Sequence, residues 1–128
     1  MGRRTRTDGD ELLLTEAELE IMTVLWQLGE APVTTVMQKL AGERAYTTVS
    51  TLVRILEQKG FVTSRKDGRA HLYSPATPKP EYEALSLRHL VQRVFGGDPS
   101  SLVRRLLSTD DVRPEDLEAI RHMLDEEP

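Results

Sequence analysis

Between Phe61 and Ser74 the apolar pattern of the chain changes from a helical period to alternation, with Asp67-Gly68 in the middle of the stretch. An Asp-Gly pair between two short strand-like segments, here Phe61 to Lys66 and Ala70 to Ser74, is the strongest short-range signal for a β-hairpin. Gly60 stands directly in front of it and stops a helix predicted from about Thr47 to Lys59. In that helix Val49, Leu52, Val53 and Leu56 fall at i, i+3, i+4 and i+7, a single apolar stripe. The chain must therefore deliver a one-sided helix straight into a hairpin, which few small folds do.

The other side of this helix carries Thr47, Thr48, Ser50, Thr51 and Arg54, with Gln58 beyond them. β-branched and hydroxyl residues are mediocre helix formers, and a face chosen for stability would carry Glu, Lys and Ala instead. Taken alone, such a face also suits an ordinary solvated helix, and a basic-flanked hairpin an ordinary surface turn. What precedes them decides how they are read.

Upstream, Thr15 and Glu18 have capping-box spacing, with Leu14 as a staple residue. Leu19, Met22 and Trp26 follow at helical spacing, as do Ile21, Leu25 and Leu28, so this helix is largely buried; Gly29 ends it. Pro32 and Thr34 open a second, shorter helix with Val36, Met37 and Leu40 inside. Three helices followed by a hairpin is the order of a winged helix-turn-helix. The major groove of DNA admits one helix, with short hydrogen-bonding side chains at close approach and a longer one behind. Thr47, Thr48, Ser50, Thr51 and Arg54 fit that description, while Lys66 and Arg69 at the hairpin tip suit phosphates. Double-stranded DNA is the expected partner.

The net charge of −4 argues against this only until it is divided. Residues 43–75 hold six basic and three acidic side chains, whereas residues 76–128 hold seven basic and eleven acidic ones. The excess acid thus lies entirely in the last third. Pro75, Pro78 and Pro80 form a stiff connector into it. There Tyr82 to Phe95 has a broad apolar face, Ser100 or Ser101 starts a short helix, and Arg113-Pro114-Glu115 starts the last one. So few apolar residues do not make a private core, and the expected remedy is pairing with a second copy through Leu87, Leu90, Val91, Val94, Leu102, Leu106, Leu117, Ile120 and Leu124. The expected division is a disordered basic arm over 1–11, a winged helix over 12–77 and a helical dimerisation domain over 78–128. The fold class is mainly α with one small hairpin.

Catalysis finds no support. His71, His89 and His122 lack metal-site spacing, no Gly-rich phosphate loop is present, and neither a metal nor a cofactor is expected. The absence of Cys fits a reducing cytoplasm. A winged-helix module that docks on protein is the alternative; its helix would expose aromatic or aliphatic anchors rather than Thr, Ser and Arg.

Several segments resemble the penicillinase-repressor (BlaI/MecI-like) family of bacterial regulators. They are Leu14 to Met22 with Leu25-Trp26, Tyr46 to Leu52, Leu56 to Gly60, and Gly68 to Pro75, and the likeness runs over about residues 12–125. The resemblance implies a homodimeric repressor of a resistance or stress gene, bound to a palindromic operator. It also implies release through a membrane metalloprotease sensor, with the cut carried over to the bond between Arg105 and Leu106. The best-known members have Asn-Phe at that point.

Overall fold

The computed structural model describes residues 13–126; the arm expected over 1–11 lies outside them. Among the described residues there are six helices and one sheet. They run α1 (Glu16–Leu28), α2 (Val33–Lys39), α3 (Tyr46–Gln58), β1 (Val62–Asp67), β2 (Ala70–Pro75), α4 (Lys79–Val94), α5 (Pro99–Leu107) and α6 (Pro114–Glu126). The fold is therefore mainly α with one antiparallel hairpin. It divides into two compact units between Leu87 and Arg88, inside α4.

In the first unit the capping box forms as the sequence indicates. The Glu18 N–H donates to the Thr15 hydroxyl at 3.2 Å, and the Thr15 N–H to the Glu18 carboxylate at 2.9 Å. Ile21, Met22, Val24 and Leu25 of α1 pack with Val33 and Val36 of α2 and with Val49, Val53 and Leu56 of α3. Leu52 and Trp26 are only partly buried, and Leu28 is exposed.

Tyr82 belongs to this first core, which its place in the last third of the sequence does not suggest. Its hydroxyl accepts the Leu14 N–H at 2.9 Å, and its ring centroid lies 5.9 Å from those of both Trp26 and Phe61. The Trp26 indole N–H in turn donates to the Thr77 carbonyl at 2.9 Å. A large aromatic with a polar tip is useful at such a seam, since it buries its body and still finds a hydrogen bond.

Glu18 is the one buried charged residue among the described residues, and the Lys59 ammonium lies 2.9 Å from each of its carboxylate oxygens. Burial pushes the Glu18 carboxyl up, but the Thr15 N–H and the Lys59 ammonium outweigh it and hold the group below the usual carboxylate range. A folded pKa below the unfolded one stabilises the fold above the unfolded value, near 4.3, and the contribution is lost as pH falls through the folded value. Lys59→Met is expected to cost about 1–3 kcal/mol at neutral pH, because it strands a buried carboxylate. Chemical denaturation at pH 7 and at pH 3 checks this: the cost should largely disappear at the lower pH.

The second unit is built differently. Asp98 caps α5, accepting the Ser100 N–H at 3.0 Å and the Ser101 hydroxyl at 2.8 Å. The helix thus begins at Pro99, not at Ser100 or Ser101: proline has no N–H and suits the first helical turn, where none is needed. Among the described residues from 88 onwards only Val91 is buried.

Candidate nucleic-acid interface

The burial of Val49, Val53 and Leu56 fixes which way α3 faces. Thr47, Thr48, Thr51 and Arg54 are exposed on its other side, and Ser50 is half-buried. The Arg54 guanidinium lies 3.4 Å from the Ser50 hydroxyl, four residues back along the same face. Ala45, at the N-cap, supplies no side-chain cap, so the first N–H groups of α3 are left for solvent or an anion.

The hairpin turn departs from the expected Asp-Gly centre. Asp67 pairs with Ala70, so the two turn residues are Gly68 and Arg69. Gly68 has φ 66°, whereas no non-glycine residue has positive φ among those described. One positive φ at the first turn position is the type II′ pattern, which needs glycine there and accepts any residue after it. Arg69 therefore sits at the apex itself. Lys66 lies on β1 opposite His71, and neither Lys66 nor Arg69 makes an ion pair among the described residues.

A cleft joins the two elements. It is lined by Tyr46, Ser50 and Arg54 of α3, Arg69, His71 and Tyr73 of the hairpin, and Pro32, Val33 and Thr34 at the start of α2. Among the described residues no carboxylate lines it. Arg54 and Arg69 thus share one surface, while Lys66 stands on the adjoining strand. Neither Tyr46, half-exposed at 51%, nor His71 is among the side chains that the sequence places at the interface. The signal for Tyr46 was a bulky aromatic at the first residue of a polar-faced helix, hidden because 43–46 reads as a turn.

Three contacts seat the hairpin on the body. Ala31 and Tyr73 exchange both backbone hydrogen bonds at 2.9 Å, adding a one-residue third strand along β2. Arg65 grips Glu30, its Nε and Nη2 lying 2.8 and 2.9 Å from the two carboxylate oxygens. The Ser64 hydroxyl donates to Glu57 of α3 at 2.7 Å. Arg65, the neighbour of Lys66 in the sequence, is therefore engaged with the protein itself.

In the second unit Leu90, Val94, Val103, Leu106, Leu107, Leu117, Met123 and Leu124 are all more than 40% exposed. Leu102 and Ile120 are half-buried, and Val91 is covered by its own chain. Leu87, in the first unit, is 52% exposed. Arg105 and Leu106 are exposed near the end of α5. No helix among the described residues is long and apolar enough to cross a membrane, and no three His, Cys, Asp or Glu among them group as metal ligands.

A family model, penicillinase repressor, matches residues 14–126. The chain belongs to the penicillinase repressor family. The repressor is 25% identical over 115 residues to the penicillinase repressor of Bacillus licheniformis, a match covering 88% of this chain and 90% of that protein. It is 32% identical to the transcriptional regulator BlaI of Mycobacterium tuberculosis, over 74% of this chain and 83% of that protein. Among solved structures it resembles Rv0081 of M. tuberculosis, with a TM-score of 0.53 at 23% identity, covering 72% of this chain and 90% of that one. That likeness speaks for the fold alone. The repressor is a DNA-binding transcriptional regulator with a winged helix, and it is not an enzyme.

Proposed function

We propose that the repressor binds a palindromic operator as a homodimer in the cytoplasm and controls a resistance or stress gene. α3 enters the major groove, where Thr47, Thr48, Ser50 and Thr51 approach base edges and thymine methyls, and Arg54 takes a guanine edge. Lys66 and Arg69 lie on phosphates of the same half-site. The observation that carries this reading is the α3 surface. Its apolar stripe is spent on the core, and its free side, short and polar with one arginine, shares with Arg69 a cleft lined by no carboxylate among the described residues. A protein-docking helix would need a cluster of apolar anchors, and α3 exposes one large apolar side chain, Tyr46.

Arg54→Ala is expected to weaken operator binding by about 1–3 kcal/mol, the scale of one bidentate base contact, and to relax preference at one base pair. Equal affinity of variant and wild type in a selection-derived operator would remove Arg54 from the reading. Neutralising Lys66 and Arg69 should instead weaken binding on every duplex and flatten its salt dependence by about two phosphate equivalents per protomer. Isothermal titrations across a salt series separate the two behaviours.

The second unit supports the dimer. Helices that leave so many leucines exposed and bury only Val91 have no core of their own, and a second copy is the economical cover. The winged helix and the helices that follow Leu87 then divide reading from pairing. Release through a membrane metalloprotease sensor belongs to the same proposal. The bond between Arg105 and Leu106 lies in the last turn of α5, where fraying gives a protease extended chain.

A further inference from the structure

We infer that Glu30 is a positioning residue for the wing, and that its fork with Arg65 sets where Lys66 and Arg69 meet DNA. This rests on the reading of the wing as a phosphate contact. Ala31 borders β2 on the edge that β1 leaves open, so the three extended segments run in the order Ala31, β2, β1. Arg65 is on β1 and Glu30 precedes Ala31, so the ion pair links the two outer edges of the sheet across β2. An isolated two-stranded hairpin is marginal in water. Ala31–Tyr73 ties β2 to the helical body, and buried Val62 with the Ser64–Glu57 hydrogen bond ties the start of β1, which leaves the outer half of β1, from Arg65 to Asp67, free to twist about β2. The Arg65–Glu30 fork removes that freedom with two parallel charge-assisted hydrogen bonds, a geometry that guanidinium forms and ammonium does not.

An acidic residue beside a DNA-binding wing would ordinarily weaken binding, and an arginine there would ordinarily be a phosphate contact. The two views predict opposite signs. In the strap, Glu30→Gln releases β1, and binding weakens although a negative charge has been removed. Arg65→Lys keeps the charge but loses the fork, and binding weakens again. If Glu30 were merely a repelling charge that occupies Arg65, Glu30→Gln would tighten binding and steepen the salt slope.

The experiment uses the full chain as wild type, Glu30→Gln and Arg65→Lys, with two readouts. The first is backbone amide hydrogen exchange without DNA; both variants should exchange faster over residues 64–72, with α1 to α3 unchanged. The second is affinity for a random-sequence duplex across a salt series. Both variants should bind roughly threefold to tenfold more weakly, with a salt slope lower by about one phosphate equivalent per protomer. Unchanged exchange in the hairpin, or tighter binding by Glu30→Gln, overturns the strap. Faster exchange with an unaltered salt slope would keep the strap and instead overturn the reading of the wing as a DNA contact.

Discussion

Replacing Leu106 and Leu117 together by Glu is expected to leave the repressor helical and to lower its operator affinity by about 10²–10⁴-fold. Both side chains are exposed by about two-fifths in the single chain, on α5 and α6 of the unit that buries only Val91. Glu is a good helix former, so neither helix should unwind. Placed in a pairing surface, four carboxylates per dimer would have to be desolvated without partners, which outweighs the apolar gain that holds the copies together. The loss of affinity follows from geometry: in a dimer the second reader binds its half-site at a high local concentration, and a monomer forfeits that factor. Sedimentation and operator titration on the same samples check it. A variant that sediments like wild type would put the pairing surface elsewhere, and a monomer with full affinity would remove pairing from operator recognition.

Leu56→Ala is expected to lower the unfolding free energy by about 2–5 kcal/mol, a large part of what a domain of this size possesses. Leu56 has no solvent exposure and lies where α3 hands over to the hairpin, its carbonyl accepting the Phe61 N–H at 2.9 Å. Deleting its methyl groups leaves a cavity among α1, α3 and Phe61 that such tight packing cannot close. Thr51→Ala, on the exposed side of the same helix, should change stability by less than about 0.5 kcal/mol. Urea unfolding of the two variants thus tests which side of α3 faces the core. Comparable losses from both would mean that the Thr side is packed, which is incompatible with groove entry.

What could be read from the sequence is what depends on near neighbours. The stripe Val49, Val53, Leu56, the box of Thr15 and Glu18, and a glycine turn near residue 68 all rest on spacings of eight residues or fewer, and all appear in the fold. The orientation of Thr47, Thr48, Thr51 and Arg54 came with the stripe. The features that seat the site depend on distant pairs and leave no local trace. Glu18 and Lys59 are 41 residues apart, Glu30 and Arg65 are 35, and Leu14 and Tyr82 are 68. Nothing local separates Arg65 from its neighbour Lys66, because sequence records its charge and not its counter-ion. Tyr82 reads with the helical third because its helix continues there, while its ring is claimed by Trp26 and Phe61. Gly68 was found, but which residue accompanies it in the turn depends on register, which only the partner strand fixes.

The side of α3 turned to solvent consists mostly of threonine and serine, whose side chains have a single carbon–carbon rotor. A surface of lysines or glutamines would surrender a good deal of rotational freedom on being pressed against another molecule, and this one surrenders very little. Arg54, the long member of the set, is already steered by the Ser50 hydroxyl. Recognition through such a face gains from shape already in place, so a small contact area can still discriminate.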